Sequence, residues 1–200
     1  MENELLQRLN QRAIADHSIV GKITLAINKI LPLKFYVTDI RITESDVNHL
    51  ATTFALKEAL YYLGIISKLS CSKNAYFLIF MDMASADELL CYLTGRHVGI
   101  INRFEESALQ ELTNIIVGTF ISEIARRFDV RITYTVPKLA IETPSTLLNS
   151  AVKIIGSDKL YVSSFKLASE EPPIEIIASL LVPLKNGERF AQIEDMWKNR

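Results

Sequence analysis

The spacing of apolar and polar positions changes period several times along the chain, and each change marks an element. Leu5, Leu9, Ala13, Ile14, Ile19, Ile23, Ala26, Ile27 and Ile30 recur at helical intervals as far as Leu33. With a break near His17 to Gly21, this predicts one short helix and one longer helix. Lys34 to Thr43, KFYVTDIRIT, switches to alternation with β-branched and aromatic residues, which is strand-like. Ser45 and Asp46 mark a turn or a helix cap, and residues 47 to 57 fit loop and helix equally. Leu60 to Leu69 and Tyr76 to Asp82 read as two strands joined around CSKN. Ser85 opens a helix through Leu93, with Asp87 and Glu88 in its first turn and Gly95 just past its end.

The longest helical pattern runs from Phe104 to Phe128, about 37 Å at ~1.5 Å per residue. Leu109, Leu112, Ile116, Phe120 and Ile124 form its apolar face. Ser107, Glu111, Asn114 and Gly118 fall together in a narrow arc roughly opposite. Val130 to Val136 then reads as a strand that closes on Pro137, because proline cannot donate to a ladder. Tyr161 to Leu167 and Ile174 to Leu184 are an antiparallel pair around SEEPP, and Arg189 to Trp197 fits a terminal helix. Helices alternating with hairpin-linked strands give an α+β fold, in which helices cover a mainly antiparallel sheet. Helix then strand at Ile19 to Thr43 echoes helix then strand at Phe104 to Val136, and each is followed by a strand pair, which hints at an internal duplication.

Composition narrows the function classes. Two hundred residues, 49% hydrophobic and 22% charged, fit a single domain over 1–200. A net charge of -1 without a basic stripe argues against nucleic-acid binding. The apolar runs are too short or interrupted for a membrane span, and MENELLQRLNQRAIADHS lacks the pattern of a signal peptide. A cytoplasmic protein is the expectation. Cys71 and Cys91 have no CxxC spacing and read as buried free thiols. His17, His49 and His97 have no metal-ligand spacing, so neither a metal nor a cofactor of its own is expected. GRHVG follows a helix, where phosphate-cradling loops follow a strand, and is a connector.

The polar arc is the remaining candidate for chemistry. An exposed carboxylate and carboxamide one turn apart could enter another protein's cleft together. Each member also has an ordinary reading: Ser107 followed by Gln110 fits a capping box, and Glu111 could be a solvent-face residue. Asn114 is less ordinary, since asparagine is a mediocre helix former in an interior turn. Gly118 in mid-helix costs roughly 1 kcal/mol relative to alanine, and close approach of a neighbouring backbone would explain it.

The segment ESALQELTNIIVGTFISEIARRFDVRITYTVP resembles the signature of the CheC, CheX and FliY chemotaxis phosphatases. Ser107, Glu111, Asn114 and Pro137 stand in register with it, and ELTNIIVG is similar to CheX in particular. The upstream MASADELLCYLTG resembles the strand-following helix before that family's active helix. The motif occurs once here, as in CheX, whereas many CheC proteins carry it twice. The resemblance implies a CheC/CheX-like fold and hydrolysis of the aspartyl phosphate of a CheY-like response-regulator receiver domain. Asn114 would orient the water and Glu111 would pair with the receiver's lysine. Ser107, Gly118 and Pro137 would support the site or the partner contact, and Mg2+ would reside in the receiver. A homodimer is expected by the same resemblance. The alternative is a non-catalytic binding module of that fold in chemotaxis or flagellar-switch signalling.

Overall fold

The computed structural model describes residues 18–70, 74–128 and 131–184. A helix over residues 18–28 (α1) leads into β1 (Tyr36–Asp46). A 3-10 turn at Val47–His49 and a short helix, α2 (Leu50–Thr53), follow, so the ambiguous stretch is helical at its centre. Next come the hairpin strands β2 (Tyr62–Ser70) and β3 (Asn74–Asp82) and helix α3 (Met83–Thr94). The long helix α4 (Arg103–Phe128) precedes β4 (Thr133–Tyr134) and β5 (Lys138–Glu142). Helix α5 (Pro144–Ile155) and the hairpin β6 (Lys159–Ser169) and β7 (Ile174–Pro183) complete the described chain.

The seven strands form one antiparallel sheet in the order β1-β6-β7-β3-β2-β4, with β5 also pairing to β2. Both faces are covered, which is why β3 reads as the near-continuous apolar run AYFLIFM. Its Ala75, Phe77, Ile79 and Met81 point into the core beneath α1, α3 and α4. Tyr76, Leu78 and Phe80 point into a second core beneath α2 and α5.

The order helix, strand, helix, strand pair occurs twice, as α1-β1-α2-β2-β3 and as α4-β5-α5-β6-β7, with α3 joining the two runs. The sheet has the same symmetry. β3 and β7 are central neighbours, and each outer strand crosses to the other run's hairpin, β1 onto β6 and β5 onto β2. The duplication suggested by the sequence is thus present in the topology.

Several expectations change. Residues 18–21 are helical, so no break falls there. Ser85 does not open α3: the cap is Asp82, whose carboxylate accepts from the Ser85 N–H at 2.8 Å, and no acid stands in the first turn. Ser85 is buried, and its hydroxyl accepts from the Glu175 N–H at 3.1 Å. Gly95, at φ 79°, ends the helix as its spacing predicts. The strand expected over Val130 to Val136 is described only at Thr133–Tyr134; it stops before Pro137 as expected, but a further strand follows directly in the same row. Thr135 accepts from the Lys68 N–H through its own hydroxyl at 3.0 Å, the chain steps out at Val136 and Pro137, and β5 resumes the pairing. Proline is tolerated there because this row lies outermost, where its missing N–H leaves no ladder bond unmade. Cys91 is half-buried instead of buried. The terminal helix at Arg189–Trp197, the first short helix, the CSKN connection and Cys71 lie wholly or largely outside the described residues.

Candidate functional site

Helix α4 begins one turn before Ser107, and its start is closed by other residues. The Asn102 side chain accepts from the Phe104 N–H at 2.9 Å, while Glu105 accepts from the Asn102 N–H at 3.1 Å, a reciprocal capping box. Ser107 is therefore not the cap. Glu105 is buried and receives Arg96 Nη2 at 2.8 Å. Burial alone would raise its carboxyl, but Arg96 and the helix-terminal N–H groups outweigh burial and hold it below the ordinary value. Asp87 on α3 holds the other end of the same connector, accepting from the Val98 N–H at 2.6 Å and meeting His97 Nδ1 at 2.9 Å. The Val98 bond, ahead of His97, depresses the Asp87 carboxyl. GRHVG is the connector its spacing indicates, and two carboxylates pin it down.

The apolar face of α4 is as expected: Leu109, Leu112, Ile116, Phe120 and Ile124 are all buried. Phe120 anchors the helix in an aromatic cluster, with ring centroids 5.0 Å from Phe77 and 6.2 Å from Phe165. The opposite arc faces outward. Ser107 and Glu111 are exposed, and Asn114 and Gly118 are half-buried. Ser107, Glu111 and Asn114 have no side-chain hydrogen bond or ion pair among the described residues. Buried capping and packing hold the helix, while the acid and the amide keep their bonding capacity for a partner.

The neighbouring strand row fixes the far end of the arc. A Cβ added at Gly118 would lie 3.3 Å from the Tyr134 hydroxyl, so the close approach is by a side chain and not by backbone. Tyr134 belongs to β4 and pairs with Leu69. Pro137 is buried, and its carbonyl accepts from Gln110 Nε2 at 3.3 Å, which ties the interrupted row to α4 just beside Glu111. The proline in register with the motif thus contacts the helix on its flank. Local spacing does not single out Tyr134; its signal in the sequence is the mid-helix Gly118. Among the described residues no group of three or more His, Cys, Asp or Glu is placed to hold a metal ion. No helix among them is long and apolar enough to cross a membrane.

The antiparallel sheet between two helical layers is a fold this chain shares with solved FliY, CheX and FliM chains, and its long helix α4 carries an exposed acid and a half-buried amide. Residues 104–141 match the CheC-like family. The chain is similar to FliY of Thermotoga maritima, 12% identical, with a TM-score of 0.66 over 96% of each chain. It is also similar to a chain of the CheX–CheY–BeF3–Mg2+ complex of Borrelia burgdorferi, 13% identical, with a TM-score of 0.56 over 83% of this chain and 96% of that one. The FliM middle domain of Vibrio alginolyticus is 15% identical with a TM-score of 0.56, over 86% of this chain and 92% of that one. No curated protein matches the chain.

Proposed function

We propose that this protein hydrolyses the aspartyl phosphate of a CheY-like receiver domain, using Glu111 and Asn114 of α4. The observation that carries the reading is that both side chains stand in one arc of a firmly anchored helix and have no partner among the described residues. The match of residues 104–141 to the CheC-like family and the likeness to a CheX–CheY complex support it. On entry into the receiver's cleft, the Asn114 carboxamide holds a water in line with the phosphorus, donating through its nitrogen and accepting through its oxygen. Glu111 pairs with the lysine of that cleft and keeps the helix in register. Mg2+ belongs to the receiver and neutralises the phosphoryl oxygens. Phosphoryl transfer asks for positioning and charge stabilisation, so two well-placed groups suffice. A cytoplasmic homodimer assembled through an open sheet edge is part of the same proposal.

The test is phosphate release from a panel of phosphorylated receivers. The wild-type protein should accelerate release from at least one receiver, and Asn114→Ala should lose at least about 100-fold in kcat, equivalent to ~2.7 kcal/mol. Equal decay with both proteins across the panel would remove the enzyme reading. The likeness to the FliM middle domain favours a second reading, a binding module without catalysis. Tight receiver binding with no acceleration of phosphate release would select it.

A further inference from the structure

The arc that carries Glu111 and Asn114 also carries two aromatic groups that the motif does not name. Phe104 lies two turns before Glu111 and within about 20° of it around the helix. It is 60% exposed, and Ile100 beside it in the connector is 82% exposed. At the other end the Tyr134 hydroxyl reaches the surface of α4 at Gly118, one turn beyond Asn114. Tyr134 is 39% exposed, and its hydroxyl has no hydrogen-bond partner among the described residues. It is held there by the Leu69 pairing and by the Gln110–Pro137 bond. The five positions Phe104, Ser107, Glu111, Asn114 and Gly118 span about 80° of the helix. They extend along roughly 21 Å of its axis.

The geometry points to Phe104 and Tyr134 as the docking residues of this site, bracketing the acid and the amide and seating them in a receiver domain. This rests on the proposed function. Phe104 presents a ring to apolar surface at one rim of the receiver's cleft, and Tyr134 presents ring and hydroxyl at the other. Exposed aromatics of this kind supply most of the affinity of a small interface, and by excluding water they strengthen the polar contacts between them. Charge complementarity selects the occupant. A second copy of this chain would bury Glu111 and Asn114 of each subunit against a like acid and amide, whereas a cleft holding a lysine and a divalent cation meets the carboxylate with opposite charge. Gly118 then has a defined part: it leaves room for the Tyr134 hydroxyl on the docking arc.

The proposal is tested by steady-state phosphate release and by binding of the receiver loaded with beryllium fluoride and Mg2+. Phe104→Ala should raise KM and weaken binding by about tenfold while kcat changes less than twofold. Tyr134→Phe, which keeps the ring and the ladder, should do so by about threefold. Leu25→Ala, on the exposed side of α1, should leave both constants unchanged. Circular dichroism and Tm should match the wild type for all three. If Asn114→Ala abolishes turnover but Phe104→Ala and Tyr134→Phe leave KM and binding unaltered, the bracket is overturned and the catalytic reading stands. If Asn114→Ala is fully active, the catalytic reading itself fails. Sedimentation showing a wild-type dimer that Phe104→Ala converts to monomer would assign the arc to self-association and overturn the proposal.

Discussion

Ile19-Val20-Gly21 in α1 and Ile116-Val117-Gly118 in α4 hold matching places on one face of the sheet, and in each the isoleucine and valine are buried and the glycine half-buried. The two helices are joined by Lys22 Nζ and Glu123 Oε2 at 2.6 Å. Their surroundings differ. Among the described residues nothing lies within 4 Å of a Cβ at Gly21, whereas Gly118 meets the Tyr134 hydroxyl. Two residues after each glycine, α1 has Ile23 and α4 has Phe120, which joins the rings of Phe77 and Phe165. Four and seven residues before each glycine, α4 has Asn114 and Glu111, while the chain has His17 and Ile14 before Gly21. The two helices share a packing role but differ in what surrounds their glycines. Fold alone does not locate function, so the role proposed for α4 rests on the side chains of its outward arc.

The contrast should break first at Phe120. Phe120→Ala is expected to cost about 3–5 kcal/mol in denaturant unfolding, whereas Ile23→Val at the matching place should cost only about 0.5–1.5. Acid should act next, and unevenly. Asp87 has its ordinary value at 3.8, and Glu105 and Glu123 have theirs at 4.5; all three are depressed in the native state. Their stabilisation is complete above those ordinary values and is lost as pH falls through the depressed native ones. Hydrogen exchange taken from pH 7 towards pH 3, corrected for its intrinsic pH dependence, should open the connector and first turn of α4 before the core of β3 and β7. Glu105→Gln should produce that opening at neutral pH. The glycines give the smallest effect. Gly21→Ala should stabilise by up to about 1 kcal/mol, whereas Gly118→Ala should gain less, because the exposed end of Tyr134 must shift by a few tenths of an ångström. A gain at Gly118 equal to that at Gly21 would mean that Tyr134 exerts no constraint there.

Local rules made the strands of the two hairpins and the body of α4 readable, because each is long and its apolar spacing is consistent over its whole length. The arc of Glu111 and Asn114 was readable for the same reason, since 100° per residue is a property of any α-helix. Helix α5 is absent from the elements the spacing predicts, although Pro144 stands at its start and Gly156 at its end, with Leu147, Leu148, Ala151 and Ile155 on its buried face. The start of α3 lies earlier than the sequence predicts because Asp82 serves both as the last strand residue and as the helix cap. The crossing of β1 and β5 onto each other's hairpins, and the arrival of Tyr134 at Gly118, depend on residues far apart in sequence. No local spacing encodes such meetings.

Among the described residues the sheet ends on two unlike rows. On one side β1 pairs with β6 over eleven residues, interrupted only by an irregularity between Val37 and Asp39. On the other, β4 and β5 are short pieces separated at Val136 and Pro137. A foreign strand adding itself to that second side would gain only a few bonds before reaching a residue without an N–H, so fibril growth by edge addition is arrested there. The bend that carries Tyr134 and Pro137 to the long helix thus also serves as a guard against aggregation. Straightening it would expose a continuous edge beside α4.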